Sequence, residues 1–394
     1  MQISEKILLG QRRILEKKLF PRKKPSLDLL AMKKIITFLW GRRTGKTSLM
    51  MEIVQWYIAN HQVAIDDIIF LDFSELDNHH ISLSEIYTSY SGRRPFFILD
   101  EVQELDDFEA ELIFLYNEGC TIFVSGSNSH LLSADIATRL RGRSYEIYND
   151  VLSFDEFLVF RGQDASTSVV SRDILFDEYL RWGGYPEVVL QHTDDAKRWL
   201  LQSYLDVIVY RDLIDRYHIR NPDILYSLIR TLSTSNTKLF NVSRVYNTYK
   251  SLGYSVSKNT LYEYIGYLEN NFFITRLENY YRRSYFPKVY LLDNGYMNLF
   301  STESNLGQKL ENVIYKKLRT SGKKIGYIDE PYEVDLTDGE SNIQVCYELN
   351  EGNIDRETRF AHTTGHNIII SRSLPAWSHI ENITIQRYDE YLLG

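Results

Sequence analysis

The first third of the chain alternates between short, continuously apolar segments and segments with helical spacing. Strands that are apolar on both faces are typical of a parallel sheet covered by helices on both sides. The apolar segments are KKIITFLWG, DIIFLDFS, RPFFILDE and CTIFVSGS, and the helical ones are TSLMMEIVQWYIANH, SLSEIYTSY and DFEAELIFLYNEG. The pattern therefore predicts an α/β fold with a parallel sheet and helices on both faces.

The rest of the chain is mostly helical at first and mixed towards the end. Residues 4–20 predict an amphipathic helix, and the stretch Pro21–Pro25 predicts an exposed connector. Helical spacing runs through 173–218, and three helices with a hairpin are predicted in 225–290. We predict five segments: 1–25 (N-terminal helix and connector), 26–160 (first α/β core), 161–224 (helical region), 225–288 (winged helix) and 289–394 (small α/β domain).

A nucleotide site is predicted where the first strand meets its helix. In GRRTGKTS, glycines allow backbone N–H groups and a helix N-terminus to face phosphate oxygens. Lys46 would contact the outer phosphates of ATP, and the Thr47 hydroxyl would bind Mg²⁺. The predicted nucleotide-binding residues are Gly41, Arg42, Arg43, Thr44, Gly45, Lys46, Thr47 and Ser48.

The loop departs from the usual pattern in one respect. Only three residues separate Gly41 from Gly45, where the usual loop has four. Either Trp40 replaces the first glycine, or the loop is one residue short. Because tryptophan does not adopt positive φ at low cost, we expect a different loop shape at this point.

Two carboxylates follow the apolar strand FFIL. Asp100 would hold Mg²⁺ together with Thr47, and Glu101 would polarise the attacking water as a general base. The next strand leads to a polar tip, where Ser125 and Asn128 are candidates to sense the γ-phosphate or position water. This pairing of GKT with Asp-Glu predicts an ATPase.

Arginines follow in the string ATRLRGR. In ATPase rings an arginine at such a position contacts the γ-phosphate of a neighbouring copy and stabilises transition-state charge. Arg143 is the preferred candidate and Arg141 the second. The alternative is that these arginines are solvated or salt-bridged at a helix end.

An ordered series of short strings resembles a known family. The strings are LDEVQ at 99–103, SGSNSHLL at 125–132, LRGR at 140–143, LSFDEFL at 152–158, RWGGYPEVVL at 181–190 and YRDLI at 210–214. The series resembles prokaryotic AAA+ ATPases with a C-terminal domain related to the PD-(D/E)xK nucleases. The resemblance implies an AAA+ P-loop core, a helical and winged-helix middle, and a nuclease-like terminal domain.

The segment 225–290 carries a basic excess of +6 within a chain whose net charge is −8. A basic winged helix favours DNA contact, and the alternative is a module that contacts only protein. The candidate DNA-binding residues are Lys258, Asn259 and Tyr262 on the second helix, with Arg282 and Arg283 on the wing.

An active PD-(D/E)xK site needs carboxylates for a metal ion and a lysine that orients water. The positions that match it are Glu311, Glu333, Asp335 and Gln344. Gln344 stands at an acidic position and Cys346 at the lysine position, so we predict a nuclease-like fold with a vestigial, inactive site.

Composition indicates the class of protein and the compartment in which we expect it. With 44% hydrophobic and 25% charged residues, apolar runs too short for a membrane span and two cysteines, the chain is typical of a soluble protein of the reducing cytoplasm. We expect ATP and Mg²⁺ as cofactors, no membrane contact, and duplex DNA, a protein or a second copy as candidate partners. The alternatives are a nucleotide-gated switch with little hydrolysis and an ATP-dependent nuclease.

Overall fold

The chain divides into two compact units. Unit 1 comprises Met1–Asp150 and Asn270–Phe272, and unit 2 comprises Val151–Glu269 and Phe273–Gly394. The computed structural model describes residues 3–23, 32–39, 41–60, 62–90, 93–126, 140, 142–148, 150–282, 286–301, 305–374 and 380–394.

Unit 1 is built on a five-stranded parallel sheet with the strand order β2-β3-β4-β1-β5. The strands are β1 (Ile35–Leu39), β2 (Ile68–Asp72), β3 (Phe96–Asp100), β4 (Thr121–Gly126) and β5 (Ser144–Tyr148). The helices are α1 (Ile3–Glu16), α2 (Lys46–Ala59), α3 (Leu83–Ser89) and α4 (Phe108–Asn117). The predicted α/β fold is confirmed.

Helices bury both faces of this sheet. Alternate residues of a strand point to opposite faces, so each of the strands β1 to β4 contributes to two apolar clusters. Ile36 and Phe38 of β1 pack in one apolar cluster with residues of α1 and α2. Ile35 and Leu39 of the same strand pack in a second cluster with residues of α3 and α4. The continuously apolar strands of the sequence thus have helices on both sides.

The N-terminal helix lies directly on β2. Gly10 allows this close approach, since a Cβ there would lie 2.5 Å from the Phe70 carbonyl oxygen. The Gln11 amide donates to the carbonyl oxygens of Ile65 and Ile68, each at 3.0 Å. The predicted helix over 4–20 is confirmed, but it ends earlier, at Glu16.

The strand β5 was not predicted from the sequence. It is an edge strand that pairs only with β1, and its residues are half-buried or exposed. A strand of this kind lacks the continuous apolar pattern that identified the other four strands.

Unit 2 begins with helices that carry the strings LSFDEFL, RWGGYPEVVL and YRDLI. A wider π-helical segment, Ile208–Asp215, continues directly from α8. The helices are α5 (Phe154–Phe160), α6 (Val169–Trp182), α7 (Pro186–Val189), α8 (Asp194–Val207), α9 (Pro222–Thr234), α10 (Val242–Ser251) and α11 (Lys258–Asn270). An antiparallel hairpin of β6 (Ile274–Leu277) and β7 (Lys288–Leu291) follows α11, and its second strand lies beyond the segment FFITRLENYYRR in which the hairpin was predicted.

The terminal part of unit 2 contains a second five-stranded sheet, in the order β12-β11-β10-β9-β8. β8, β9 and β10 are antiparallel neighbours, whereas β10, β11 and β12 run parallel. The strands are β8 (Gly326–Ile328), β9 (Val334–Thr337), β10 (Ser341–Glu348), β11 (His366–Ser373) and β12 (Ile383–Arg387). The remaining helices are α12 (Met297–Phe300), α13 (Leu306–Arg319), α14 (Ile354–Glu357) and α15 (Tyr388–Leu393).

An ion-pair network ties α6 to this sheet. The Arg387 guanidinium contacts both Asp173 and Asp389, and the Arg372 guanidinium contacts Asp173 and Asp177. These arginines are 15% exposed, so their charges are compensated in a largely desolvated setting.

The glycine pair of RWGGYPEVVL lies against a buried carboxylate. Asp293 is 1% exposed and accepts the backbone N–H of Gly184 and of Gly295, each at 2.7 Å. Gly183 has φ +78°, and a Cβ there would lie 1.7 Å from the nearer Asp293 carboxylate oxygen. The string therefore forms a turn that fits tightly onto Asp293.

None of the helices in the described part of the chain combines the length and apolar composition needed to cross a membrane.

Replacing Gly183 by alanine should destabilise unit 2. The new methyl group would clash with Asp293 and force a backbone conformation that is essentially restricted to glycine. We expect urea unfolding, followed by the fluorescence of the adjacent Trp182, to show a loss of about 3 kcal/mol or more.

Gly253 provides the matched control. It also has positive φ, at +85°, but nothing lies within 4 Å of its Cβ position. The Gly253→Ala variant should lose only about 1 kcal/mol. Equal losses in the two variants would show that the Asp293 contact is unimportant.

Candidate functional site

The phosphate loop lies at the carboxyl edge of the unit 1 sheet, between β1 and α2. Gly45 adopts φ 91° directly before α2, and no side chain caps this helix start. The buried Thr44 hydroxyl donates to the Gly41 carbonyl oxygen at 3.0 Å and closes the loop. The first-turn N–H groups of α2, including those around Ser48, are thus available to an anion.

The loop has left-handed backbone at a second position as well. Arg43 has φ 64° and is exposed, whereas Arg42 is half-buried. Trp40, where the sequence departs from the usual pattern, lies outside the described residues.

Lys46 is the buried cation of the loop. It is 5% exposed, and its ammonium donates to the Gly41 carbonyl oxygen at 3.0 Å. This contact holds the charge inside the loop, where a phosphate group of ATP would be bound.

Asp100 joins three segments of the carboxyl edge. One of its carboxylate oxygens accepts the hydroxyl of Thr47 at the start of α2, and the other accepts the hydroxyl of Ser125 at the end of β4. Asp100 is 5% exposed and Ser125 is fully buried. The structure therefore brings together the two predicted metal ligands, Thr47 and Asp100.

Burial raises the pKa of Asp100 to about 6, and the nearby charge of Glu101 adds to the effect. The hydroxyls of Ser125 and Thr47 only partly offset this destabilisation of the anion. A divalent cation would compensate the buried charge, and Mg²⁺ commonly uses one or two protein oxygens in such sites. The donor set of Thr47 and Asp100 therefore fits Mg²⁺.

A cavity of about 440 Å³ opens beside Thr47. Asp72, at the end of β2, lines it together with Arg13 of α1 and Lys17, which directly follows that helix. This cavity provides space next to the phosphate loop on the carboxyl side of the sheet.

Glu101 has a strained backbone at the position expected for a general base. Its φ is 51°, which is uncommon for a residue other than glycine, and its N–H donates to the Ser125 hydroxyl at 3.1 Å. Its carboxylate accepts the Gln103 amide at 2.5 Å. Sequence reasoning did not identify Gln103, because a glutamine two residues after the acid carries no recognisable signal.

Arg22 is a second residue that sequence reasoning missed. It was predicted to lie in an exposed connector, but its guanidinium donates to the carbonyl oxygens of Thr44 at 2.7 Å and Asp150 at 3.0 Å. Its backbone N–H donates to Glu52 at 3.2 Å. Arg22 therefore ties the phosphate loop to Asp150, the last residue before the chain enters unit 2.

The predicted arginine finger lies away from the phosphate loop of its own chain. Arg143 precedes β5, and its carbonyl oxygen accepts the N–H of Ile35 at the amino end of β1. Its guanidinium stacks on the ring of Tyr116 at 5.6 Å. A contact with a neighbouring copy stays a prediction, and Arg141 and Asn128 lie outside the described residues.

The predicted DNA-binding residues of α11 are exposed. Lys258 and Asn259 lie in its first turn, and Tyr262 is 54% exposed. The Lys258 ammonium also lies 5.5 Å from the ring centre of Tyr246. Arg282 forms an exposed ion pair with Glu330 at 2.7 Å, and Arg283 lies outside the described residues.

The predicted vestigial nuclease site contains a lysine that the sequence did not assign to it. Lys288 of β7 is 4% exposed, and its ammonium contacts Glu311 at 3.1 Å and Asp335 at 2.9 Å. The Tyr290 hydroxyl donates to the same Glu311 oxygen at 2.8 Å. Burial lowers the pKa of Lys288, but the charges of Asp335 and Glu311 outweigh this effect and raise the pKa above its usual value.

The other two predicted positions form no ion pair with Lys288, although the Gln344 amide oxygen accepts the backbone N–H of Asp335 at 3.3 Å. Gln344 binds the Glu357 carboxylate at 3.1 Å, and Glu333 is exposed. Within the described residues, no group of three or more His, Cys, Asp or Glu is arranged to hold a metal ion. A lysine that opens the apolar string KVYLL was the available signal for this cluster.

Comparisons with known proteins locate two family matches. An AAA domain matches residues 33–158, and a domain of unknown function (DUF8612) matches residues 173–307. The uncharacterized protein MJ1544 of Methanocaldococcus jannaschii is 31% identical over 340 residues, which cover 81% of this chain and 76% of that protein. An uncharacterized protein of Haemophilus influenzae is 28% identical over 331 residues, which cover 79% of this chain and 82% of that protein.

Two solved structures of archaeal proteins are also similar. Cdc6p from Pyrobaculum aerophilum has a TM-score of 0.30 and 13% identity, covering 77% of this chain and 98% of that one. The Aeropyrum pernix Orc1 protein in complex with DNA has a TM-score of 0.27 and 15% identity, and the match covers 74% of this chain and 96% of that one.

The Asp100→Asn variant should be more stable than the wild type in the absence of nucleotide. Because the folded state raises the pKa of this acid, its ionisation opposes folding above pH 6, and the penalty shrinks towards pH 4. We expect a rise in melting temperature of about 3 °C or more at pH 8, with a smaller gain at each lower pH.

The exposed Asp66→Asn variant is the control, because it removes the same charge from the surface of unit 1. It should change the melting temperature little at any pH. A pH-independent gain in Asp100→Asn, or a loss of stability at pH 8, would contradict the burial argument.

Proposed function

The chain belongs to the same family as the uncharacterized protein MJ1544 of Methanocaldococcus jannaschii and carries a match to an AAA domain, and we propose that it is a cytoplasmic, Mg²⁺-dependent ATPase acting on DNA. In this proposal, nucleotide state moves a winged helix and a nuclease-like terminal domain. The observation that carries the ATPase proposal is the contact of Asp100 with the hydroxyls of both Thr47 and Ser125.

Each residue of the site has a distinct role in this proposal. Lys46 and the first turn of α2 would bind the phosphates, and Thr47 and Asp100 would hold Mg²⁺, which would supply positive charge against the phosphates. Glu101 takes a proton from the attacking water, and Ser125 orients both Asp100 and the backbone of Glu101.

Arg22 supports a link between nucleotide and the rest of the chain. Its guanidinium bridges the Thr44 carbonyl oxygen in the phosphate loop and the Asp150 carbonyl oxygen next to Val151. A loop that shifts on binding phosphate would break or re-form this bridge. The bridge thus offers a route by which the loop can affect the start of unit 2.

DNA contact by the predicted winged helix is supported by three exposed side chains. Lys258, Asn259 and Tyr262 occupy the first two turns of α11, which follows α10 across a short turn. The hairpin of β6 and β7 stands where a wing is expected. This arrangement is suited to placing α11 in a major groove.

A nucleotide-gated switch is the second candidate, and the contact between Gln103 and Glu101 favours it. The amide occupies an oxygen of the carboxylate that would otherwise accept a proton from the attacking water. An ATP-dependent nuclease is disfavoured, because Lys288 already forms ion pairs with both Glu311 and Asp335.

Steady-state ATP hydrolysis tests the enzyme proposal. Lys46→Ala should lose nucleotide binding and turnover. Glu101→Gln should retain ATP but lower kcat by about 10²-fold or more, since the general base is lost. The neighbouring Glu104→Gln variant is the control and should keep normal turnover. Unchanged kcat in Glu101→Gln would exclude Glu101 as the base.

The Gln103→Ala variant separates the two candidates in the same assay. If Gln103 orients a working base, kcat should fall. If Gln103 restrains Glu101 in a switch, kcat should rise from a low wild-type value.

Binding to duplex DNA at several salt concentrations tests the winged helix. Lys258→Ala should weaken binding and reduce the slope of log K against log salt by about 0.9, the contribution of one phosphate contact. Lys18→Ala removes an exposed charge from unit 1 and serves as the control. An unchanged slope in Lys258→Ala would contradict a phosphate contact through this residue.

A further inference from the structure

Unit 1 contains a second cavity, of about 750 Å³, at the amino edge of its sheet. Its walls are the segments that precede β1, β3 and β4, together with the C-terminal ends of α2 and α4. We call it the amino-edge cleft, and its defining residues are Lys33, Lys34, Trp56, Tyr57, Arg94 and Tyr116.

The amino-edge cleft is separate from the nucleotide site. The phosphate loop follows the carboxyl end of β1, whereas Lys33 and Lys34 precede its amino end. Four residue steps along β1 separate the two edges by about 13 Å. A ligand in the cleft would therefore leave the phosphate loop unoccupied.

The charged side chains that line the cleft are all basic. Among the described residues its lining contains Lys33, Lys34 and Arg94 and no carboxylate. Lys34 donates to the Gly142 carbonyl oxygen. Within the same part of the chain, neither Lys33 nor Arg94 forms an ion pair or hydrogen bond, so both charges are available to an anion.

Arg94 lies beside Gly119 in the cleft. Gly119 has φ +76°, and a Cβ built on it would lie 3.5 Å from the Arg94 guanidinium carbon. The guanidinium therefore lies over a residue without a side chain, with its donors free to reach a ligand.

Aromatic rings supply the rest of the recognition surface. Trp56 and Tyr57 meet edge to face with ring centres 5.4 Å apart, and Tyr116 carries the Arg143 guanidinium on one face. Burial raises the pKa of the Cys120 thiol to about 11, so this part of the wall stays neutral. The aromatic rings lie beside the charges of Lys33 and Arg94. This combination is suited to a ligand that has a planar ring and a negative charge.

We propose that the amino-edge cleft binds a nucleoside phosphate, with its phosphate on Lys33 and Arg94 and its base against the aromatic rings. The same chemistry is presented by a free mononucleotide and by a segment of single-stranded nucleic acid. The cavity volume lies in the range of small-ligand sites. This site does not depend on ATP hydrolysis at the phosphate loop.

Binding is best measured in the Lys46→Ala background, which removes the phosphate loop as a competing site. Fluorescence anisotropy of labelled hexathymidylate and calorimetry with AMP form the two arms, and they distinguish the nucleic acid from the free nucleotide. Hexaglutamate, which has charge but no ring, is the competitor. We expect at least one nucleotide probe to bind and hexaglutamate to compete poorly.

Arg94→Gln should weaken binding of the nucleotide probe about tenfold or more, because a charge-assisted contact with phosphate is lost. Arg93→Gln is the matched control, since this adjacent arginine is 60% exposed and pairs with Asp67 outside the cleft. The affinity of the Arg93→Gln variant for the nucleotide probe should stay within about twofold of that of the Lys46→Ala protein. Melting curves of both variants exclude unfolding as the cause.

The proposal fails if neither nucleotide probe binds, if hexaglutamate competes as well as the nucleotides, or if Arg93→Gln weakens binding as much as Arg94→Gln. Trp56→Leu gives an independent check on the ring contact. It should weaken the nucleotide probes without changing the residual affinity for hexaglutamate, and equal loss for both would contradict base stacking.

Discussion

A buried carboxylate has to be compensated, and the nucleotide site of unit 1 depends on how Asp100 meets this requirement. Hydroxyls from α2 and from the end of β4 approach its two oxygens, but they leave its negative charge unneutralised. The raised pKa of Asp100 reflects that deficit. The carboxyl edge is thus pre-organised for a cation next to the phosphate loop, which is the chemistry that phosphoryl transfer needs.

Unit 2 meets the same physical requirement in the opposite way. Glu311 and Asp335 are also buried, but Lys288 of the hairpin provides a positive charge from within the chain. This internal ammonium ion pairs with both carboxylates, compensates part of their charge and connects β7, α13 and β9. The buried acids at two positions of the predicted vestigial nuclease site thus take part in a structural contact, which agrees with the unfavourable Gln344 and Cys346 seen in the sequence.

The sequence predicted the core of unit 1 because apolar runs, GKT and Asp-Glu are local signals. It missed β5, whose half-exposed edge residues carry no such pattern. It also missed contacts made at long range, such as that of Arg22 with the phosphate loop and that of Lys288 with two acids. The position of Arg143 at the amino edge follows from β5 and was equally hidden. A local sequence pattern identifies helices and strands. The contacts of their side chains depend on which segments the fold brings together, and a local pattern does not contain that information.

We expect the carboxyl edge of unit 1 to bind ATP together with Mg²⁺. Isothermal titration of ATP into the wild-type protein, with Mg²⁺ and then with EDTA, tests this expectation most directly. We predict saturable binding that Mg²⁺ strengthens, because the cation compensates Asp100 and the phosphates together. Absence of ATP binding, or binding that is indifferent to Mg²⁺, would contradict the account.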